Sequence, residues 1–201
     1  MGPALLLQGS VSVPQSGRRA AQVGIQGIDD DFASLFPGYE DRFDLERVDG
    51  QLFGSALVNA TLARELAAEV GDELLIALQR PSDVPRESLM GSTDPADVVQ
   101  TMRVVVRGVL EDRGPGRFGL LPHQTLPSNV FVPLRDLQRS LDQRARVNAL
   151  LVSGAPEAAG ELAERLAQAA QLEDYGLEVA VDEEVARVTA REVVLRPPLE
   201  E

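Results

Sequence analysis

The sequence predicts an α+β (mixed α/β) fold, and three stretches carry that prediction. Val130 to Gly154, VFVPLRDLQRSLDQRARVNALLVSG, reads as strand, helix, strand. Phe53 to Leu78 has the same order, and residues 4 to 28 read as a hairpin. Strand–helix–strand passages are crossover units, which favour parallel pairing with a right-handed connection. Added to a hairpin, they imply a parallel or mixed sheet with helices on one face.

The first element is ALLLQGSVSV, residues 4 to 13, with Arg18 to Ile28 as its partner across the turn-rich PQSG at 14 to 17. Ala20, Gln22, Gly24, Gln26 and Ile28 alternate with Ala21, Val23, Ile25 and Gly27, so one face is more apolar than the other. Asp29, Asp30 and Asp31 then open a short helix, DDFASLF, whose first turn suits acidic side chains. Three adjacent carboxylates do not make a calcium loop, which needs alternating ligands, a fixed glycine and a closing Glu.

Phe53 to Val58 is the next strand, and Asn59 is a good N-cap for a helix from Ala60 to Val70. Leu62, Leu66 and Val70 share one face of that helix, with Gly71 expected as its left-handed C′ residue. Glu73 to Leu78 resumes as a strand. Arg80 to Val98 is Pro-, Ser- and Asp-rich and aperiodic, which reads as a solvated excursion. Gln100 to Leu110 is a long strand, with Met102, Val104, Val106 and Leu110 expected on one face and Arg103 and Arg107 on the other.

Residues 111 to 129 form a second excursion holding three large apolar residues, Phe118, Leu120 and Leu121. These either tuck under the loop or stay exposed as a candidate partner-contact surface. In the Val130 unit, Pro133 opens a helix at the position where proline is best tolerated, and Leu134, Leu137 and Leu141 form its apolar stripe. A helix follows from Pro156, with Leu162, Leu166 and Ala169 on its buried side and a Glu161–Arg165 pair outside. Leu177 to Val181 and Ala186 to Leu195 close the chain as strands.

Composition removes most chemistry. There is no cysteine, hence no disulfide, thiol nucleophile or thiolate-bound metal. Every basic residue is Arg, which excludes Schiff-base and P-loop lysines. His123 is the sole histidine, so neither a His pair for zinc nor a second base exists, and it reads as a solvated loop residue. No serine sits in a nucleophile elbow, and neither glycine fingerprint for nucleotides is present. A net charge of −13 argues against nucleic acid. The sequence therefore predicts no catalytic residue, no metal and no cofactor. The longest apolar run near the start, Ala4 to Leu7, is far shorter than a signal-peptide core or a membrane span, so these residues read as soluble and carry no export signal.

Several phrases carry a resemblance. VFVPLRDLQRSL followed by RVNALLVSG, and upstream LVNATLARELAAEVGDELLI, resemble in the same order the extracytoplasmic domain of ABC-transporter permeases of the FtsX/MacB family. VGIQGIDDDF and VVVRGVLED are similar to two shorter phrases of that domain. The likeness runs loosely from residue 5 to about residue 172.

That resemblance implies a non-enzymatic module lying between membrane helices of a permease, outside the cytoplasm. Its partners would be those helices, a cytoplasmic ATPase subunit and an extracytoplasmic protein or substrate, with two such domains pairing. Its work would be mechanotransmission, the passing of ATP-driven motion to something beyond the membrane. The implied architecture is a porter-like lobe of crossover units, residues 1–42 plus 130–201, with a β-rich lobe, residues 43–129, inserted. The alternative is a free-standing binding module for a small ligand or peptide. A cleft with bound ligand would favour that module, and closely spaced termini the permease.

Overall fold

A computed structural model describes residues 2–39, 42–45, 53–79, 99–120, 125–154, 158–169, 177–182 and 185–190. The chain divides into two units, residues 1–80 with 99–153, and residues 81–98 with 154–201.

In the first unit, strands β1 (Gly2–Ser12), β2 (Arg19–Ile28), β3 (Gly54–Asn59), β4 (Glu73–Gln79), β5 (Val99–Leu110), β6 (Asn129–Pro133) and β7 (Ala149–Leu151) form one mixed sheet. Helix α1 spans Ala60–Leu66, and α2 spans Leu134–Ser140. The neighbour order β2-β6-β3-β5-β4-β1 closes on itself, because β1 also pairs with β2. Closure leaves these six strands without a free row of backbone donors along most of their length. The second edge of β1 is shared. Its C-terminal half, from Gly9 to Ser12, pairs with β4, and its start, from Gly2 to Ala4, pairs with β7.

The hairpin of β1 and β2 stands as the alternation predicts, and the sheet is mixed. The expected crossovers differ in detail. β6 runs parallel to β2, and β7 antiparallel to β1, so β6 and β7 are parallel but separated by two strands. β3 and β4 are antiparallel with β5 between them, so α1 is not a parallel crossover. The expected division at 42/43 and 129/130 cuts through this sheet, since β3, β5 and β4 lie between β6 and β1.

Inward positions alternate as period 2 requires: Val23 and Ile25, Ala56 and Val58, Leu74, Ile76 and Leu78, Val104 and Val106, Val130 and Val132 all enter one core. α1 adds Leu62, Ala63 and Leu66, and α2 adds Leu134, Leu137 and Leu141. Because β3 and β6 are antiparallel, the helices that follow them leave from opposite ends of the closed sheet. At Gly27 a β-carbon would lie 2.6 Å from Leu137 Cδ2, so glycine lets α2 pack on β2.

Two expected faces are broken by bulges. Gln22 adopts a left-handed φ of 56° where β1 and β2 slip register between Gly9 and Val11, so Ala20 joins Val23 in the core although their parity differs. In β5 the pairing steps from Val106 to Gly108 while β3 steps from Ala56 to Leu57. The extra residue, Arg107, turns the strand over. Leu110, expected beside Met102, Val104 and Val106, therefore joins Leu57 and Phe131 in a second cluster on the outer face.

α1 also ends sooner than its stripe suggests. Ala67 takes the left-handed conformation with φ 48°, and its N–H closes the last turn. Gly71 (φ 101°) belongs to the following turn into β4, and Val70 is exposed rather than buried.

The second unit contains α3 (Ala158–Ala169) and a separate antiparallel hairpin, β8 (Leu177–Asp182) with β9 (Val185–Ala190). The last strands thus pair with each other and do not extend the large sheet, as the low closure cost of a short connection favours. Glu161 and Arg165 pair at 2.6 Å, whereas Leu162 and Leu166, expected to be buried, are exposed. A 3.6-residue stripe states which face could be covered, not that it is. The 80–98 excursion and His123 lie outside the described residues.

Candidate functional site

One end of the closed sheet holds Asn59 and Asn129, two of the five buried polar side chains among the described residues. Asn59 ends β3 and Asn129 begins β6, and both are within 1% of fully buried. Asn59 Oδ1 accepts from the N–H groups of Leu62 (3.1 Å) and Asn129 (2.9 Å). Its Nδ2 donates to the carbonyls of Gly116 (3.0 Å) and Pro127 (2.6 Å). Asn129 Nδ2 reaches the Gly116 carbonyl at 3.4 Å and that of Phe118 at 2.8 Å. The two carboxamides therefore fasten Gly116, Phe118 and Pro127 to the sheet and to α1 through their backbone carbonyls, whatever the side chains there are. Asp112 completes the α1 start, taking the Thr61 N–H and hydroxyl, each at 2.9 Å.

Phe118 enters from this anchored excursion. Five of the six phenylalanines gather on the outer face around Phe32, whose ring centroid lies 5.2 Å from Phe36, 5.3 Å from Phe43, 5.3 Å from Phe118 and 6.0 Å from Phe131. Tilted and edge-on geometries of this kind add to plain burial. Of the three residues expected as a candidate contact surface, Phe118 is half-buried in this cluster and Leu120 is 66% exposed. Leu121 lies outside the described residues.

Between the excursion and the outer face of the hairpin runs a cleft of about 540 Å³. Gly24 and Gln26 of β2, Gln8 of β1 and Gln22 of the bulge line one wall, and Leu120, Leu126 and Asn129 line the other. Gln26 is 6% exposed; its Nε2 lies 3.5 Å from Asn129 Oδ1, and its Oε1 is buried with no donor among the described residues. A β-carbon on Gly24 would collide with Asn129 Oδ1 and come within 2.8 Å of Gln26 Nε2, so glycine here is the space these carboxamides occupy. Sequence reading took Asn59 as a helix cap alone and passed over Gln26 and Asn129. The available signal was a lone polar residue, Gln26, inside the apolar run GIQGI.

Asp29 precedes the short 3-10 turn Asp30–Leu35 and makes no capping hydrogen bond. Burial, and then the neighbouring Asp31 charge, push its carboxyl above the ordinary value, with backbone N–H groups opposing. Among the described residues no group of three or more His, Cys, Asp or Glu side chains is placed to hold a metal. Nor does any described helix have the length and apolarity to cross a membrane.

Comparison with known proteins agrees with the phrases read from the sequence. The model of the MacB-like periplasmic core domain matches residues 4–170. Among solved structures, the periplasmic region of MacB from Actinobacillus actinomycetemcomitans aligns at 10% identity with a TM-score of 0.43, covering 94% of this chain and 71% of that one. The extracellular domain of the noncanonic ABC-type transporter YknZ from Gram-positive bacteria aligns at 16% identity with a TM-score of 0.39, covering 94% and 79%. No curated protein matches. With the family model spanning most of its length, the chain belongs to the MacB-like periplasmic core domain family, the extracytoplasmic domain of ABC-transporter permeases.

Proposed function

We propose that this domain transmits ATP-driven motion of a permease to a substrate or protein partner outside the membrane, without chemistry of its own. The observation that carries the reading is the pairing of Gly2 with Leu151. The first and last strands of the first unit are hydrogen-bonded neighbours, so the N-terminal end of β1 and the C-terminal end of β7 lie side by side. A displacement at that root moves the unit as a body. The closed sheet and the Asn59–Asn129 fastening supply the stiffness that such transmission needs, because a packed core yields little to strain. The driving ATPase is a cytoplasmic subunit, and two such domains work as a pair.

The test is made in the complete transporter. A flexible Gly/Ser insert after Val152 should abolish transport while ATP hydrolysis continues, because the body is uncoupled from its root. Unimpaired transport with the insert in place would refute force transmission.

A further inference from the structure

We infer that Asn148 is the positioning residue that locks the short strand β7 onto β1, and that this joint carries the load when the domain is moved. The inference rests on the force-transmission reading and adds to it the place where motion crosses from one strand to the other.

The edge of β1 that meets β4 and β7 is divided between them. β7 takes Gly2 to Ala4 and β4 takes Gly9 to Ser12, so Leu5 to Gln8 have no strand partner on that edge among the described residues. Asn148, the residue before β7, fills the centre of that gap with its side chain. Its Oδ1 accepts from the Leu6 N–H and its Nδ2 donates to the Leu6 carbonyl, both at 2.8 Å. A carboxamide has a donor side and an acceptor side, as a peptide unit has, so the side chain adds a rung to the ladder without lengthening the strand. The main-chain N–H of Asn148 donates to the Ala4 carbonyl at 3.3 Å.

β7 depends on that rung. It has three residues, and among the described residues β1 is its one strand neighbour. Leu150 is 54% and Val152 51% exposed, so burial holds little of its length. Because Gly2 is opposite Leu151, pulling the strands apart at that end peels the ladder through Pro3–Leu150 and Ala4–Ala149 until it meets Asn148. Just upstream, Gln138 of α2 donates from Nε2 to the Arg146 carbonyl at 2.8 Å, and α2 is seated in the core by Leu134, Leu137 and Leu141. The segment entering β7 is thus tied to α2 at Arg146 and to β1 at Asn148, and peeling stops there.

Asn148→Ala tests the joint. In the full 201-residue chain its Leu6 amide should exchange with solvent at least tenfold faster, while the amides of β3, paired on both edges, keep their protection. In the complete transporter it should lower transport at least fivefold while ATP hydrolysis continues. Pro3→Cys and Leu150→Cys stand at cross-strand partners, a spacing that a disulfide can span. That disulfide, once shown to form, should restore transport to the Asn148→Ala transporter and lose it again on reduction. Parental Leu6 exchange, parental transport, or a formed disulfide that restores nothing would each overturn the inference. The insert after Val152 separates the two ideas. Transport lost with the insert but intact in Asn148→Ala sinks the joint alone, whereas transport intact in both sinks force transmission with it.

Discussion

The main-chain N–H of Asn129 donates to the side-chain oxygen of Asn59 at 2.9 Å, and the same oxygen caps α1 through Leu62. One buried carboxamide thus joins the end of β3, the start of β6 and the start of a helix, while its nitrogen holds the excursion between β5 and β6. Asn59→Ala strands the N–H groups of Leu62 and Asn129 and the Pro127 carbonyl, and leaves the Gly116 carbonyl with Asn129 alone; an unsatisfied buried group costs about 1–3 kcal/mol. Loss of about 3 kcal/mol or more is expected in chemical denaturation. Asn59→Asp keeps the acceptor but turns a carboxylate toward two carbonyls, so it should also destabilise at neutral pH and recover in part as it is protonated.

Gly116 accepts from both asparagines, and a β-carbon there would overlap the Glu111 carbonyl. Gly116→Ala must displace backbone and should cost about 1–3 kcal/mol, as overpacking does. Gly17→Ala is the contrast. Its φ of 70° carries a conformational cost of about 1–2 kcal/mol, with nothing within 4 Å to collide. Comparing the two by denaturation separates steric from conformational demand.

Phe32 is fully buried at the centre of the ring cluster, so Phe32→Ala should cost about 3–5 kcal/mol. Leu120→Ser, at a residue 66% exposed, should change stability by no more than about 0.5 kcal/mol. If Leu120 is a partner contact, that variant weakens transport in the complete permease with no change in melting temperature.

The Asp29 carboxyl holds its proton to higher pH in the folded chain than in the unfolded one, where it titrates near 3.8. The stability it contributes is complete below that value and is lost as pH rises through the folded pKa. Asp29→Asn should therefore be more stable than the parent at neutral pH, with the difference vanishing in acid. Denaturation midpoints across that range check both the sign and the window.

Much of this fold was legible because the pattern and the physics coincide. The β1–β2 turn, the Asn59 cap and the Leu134–Leu137–Leu141 stripe are local statements, each made within one element. What was not legible depends on single residues that break a period. Gln22 and Arg107 are extra residues in their strands, and each turns the following side chains over, which is how Leu110 came to face the outer cluster. Ala67 ends α1 in a left-handed conformation that alanine seldom adopts, so a stripe continued to Val70 misleads. Closure of the sheet was invisible for another reason. Nothing in the alternation of β1 states that one of its edges serves β4 and β7 in turn. The cleft shares that difficulty, since Gln8, Gln26 and Asn129 meet only when three strands are in register.

The most direct test of the central claim is a distance measurement in the complete, otherwise cysteine-free transporter, exploiting the absence of cysteine from this domain. Spin labels at Ser16→Cys and Arg144→Cys report on the first unit, and a single label at Ser16→Cys reports between the copies of the proposed pair. Force transmission predicts that ATP leaves the first distance unchanged and shifts the second. An inter-copy distance that ignores ATP, or a first unit that deforms with it, would contradict the account.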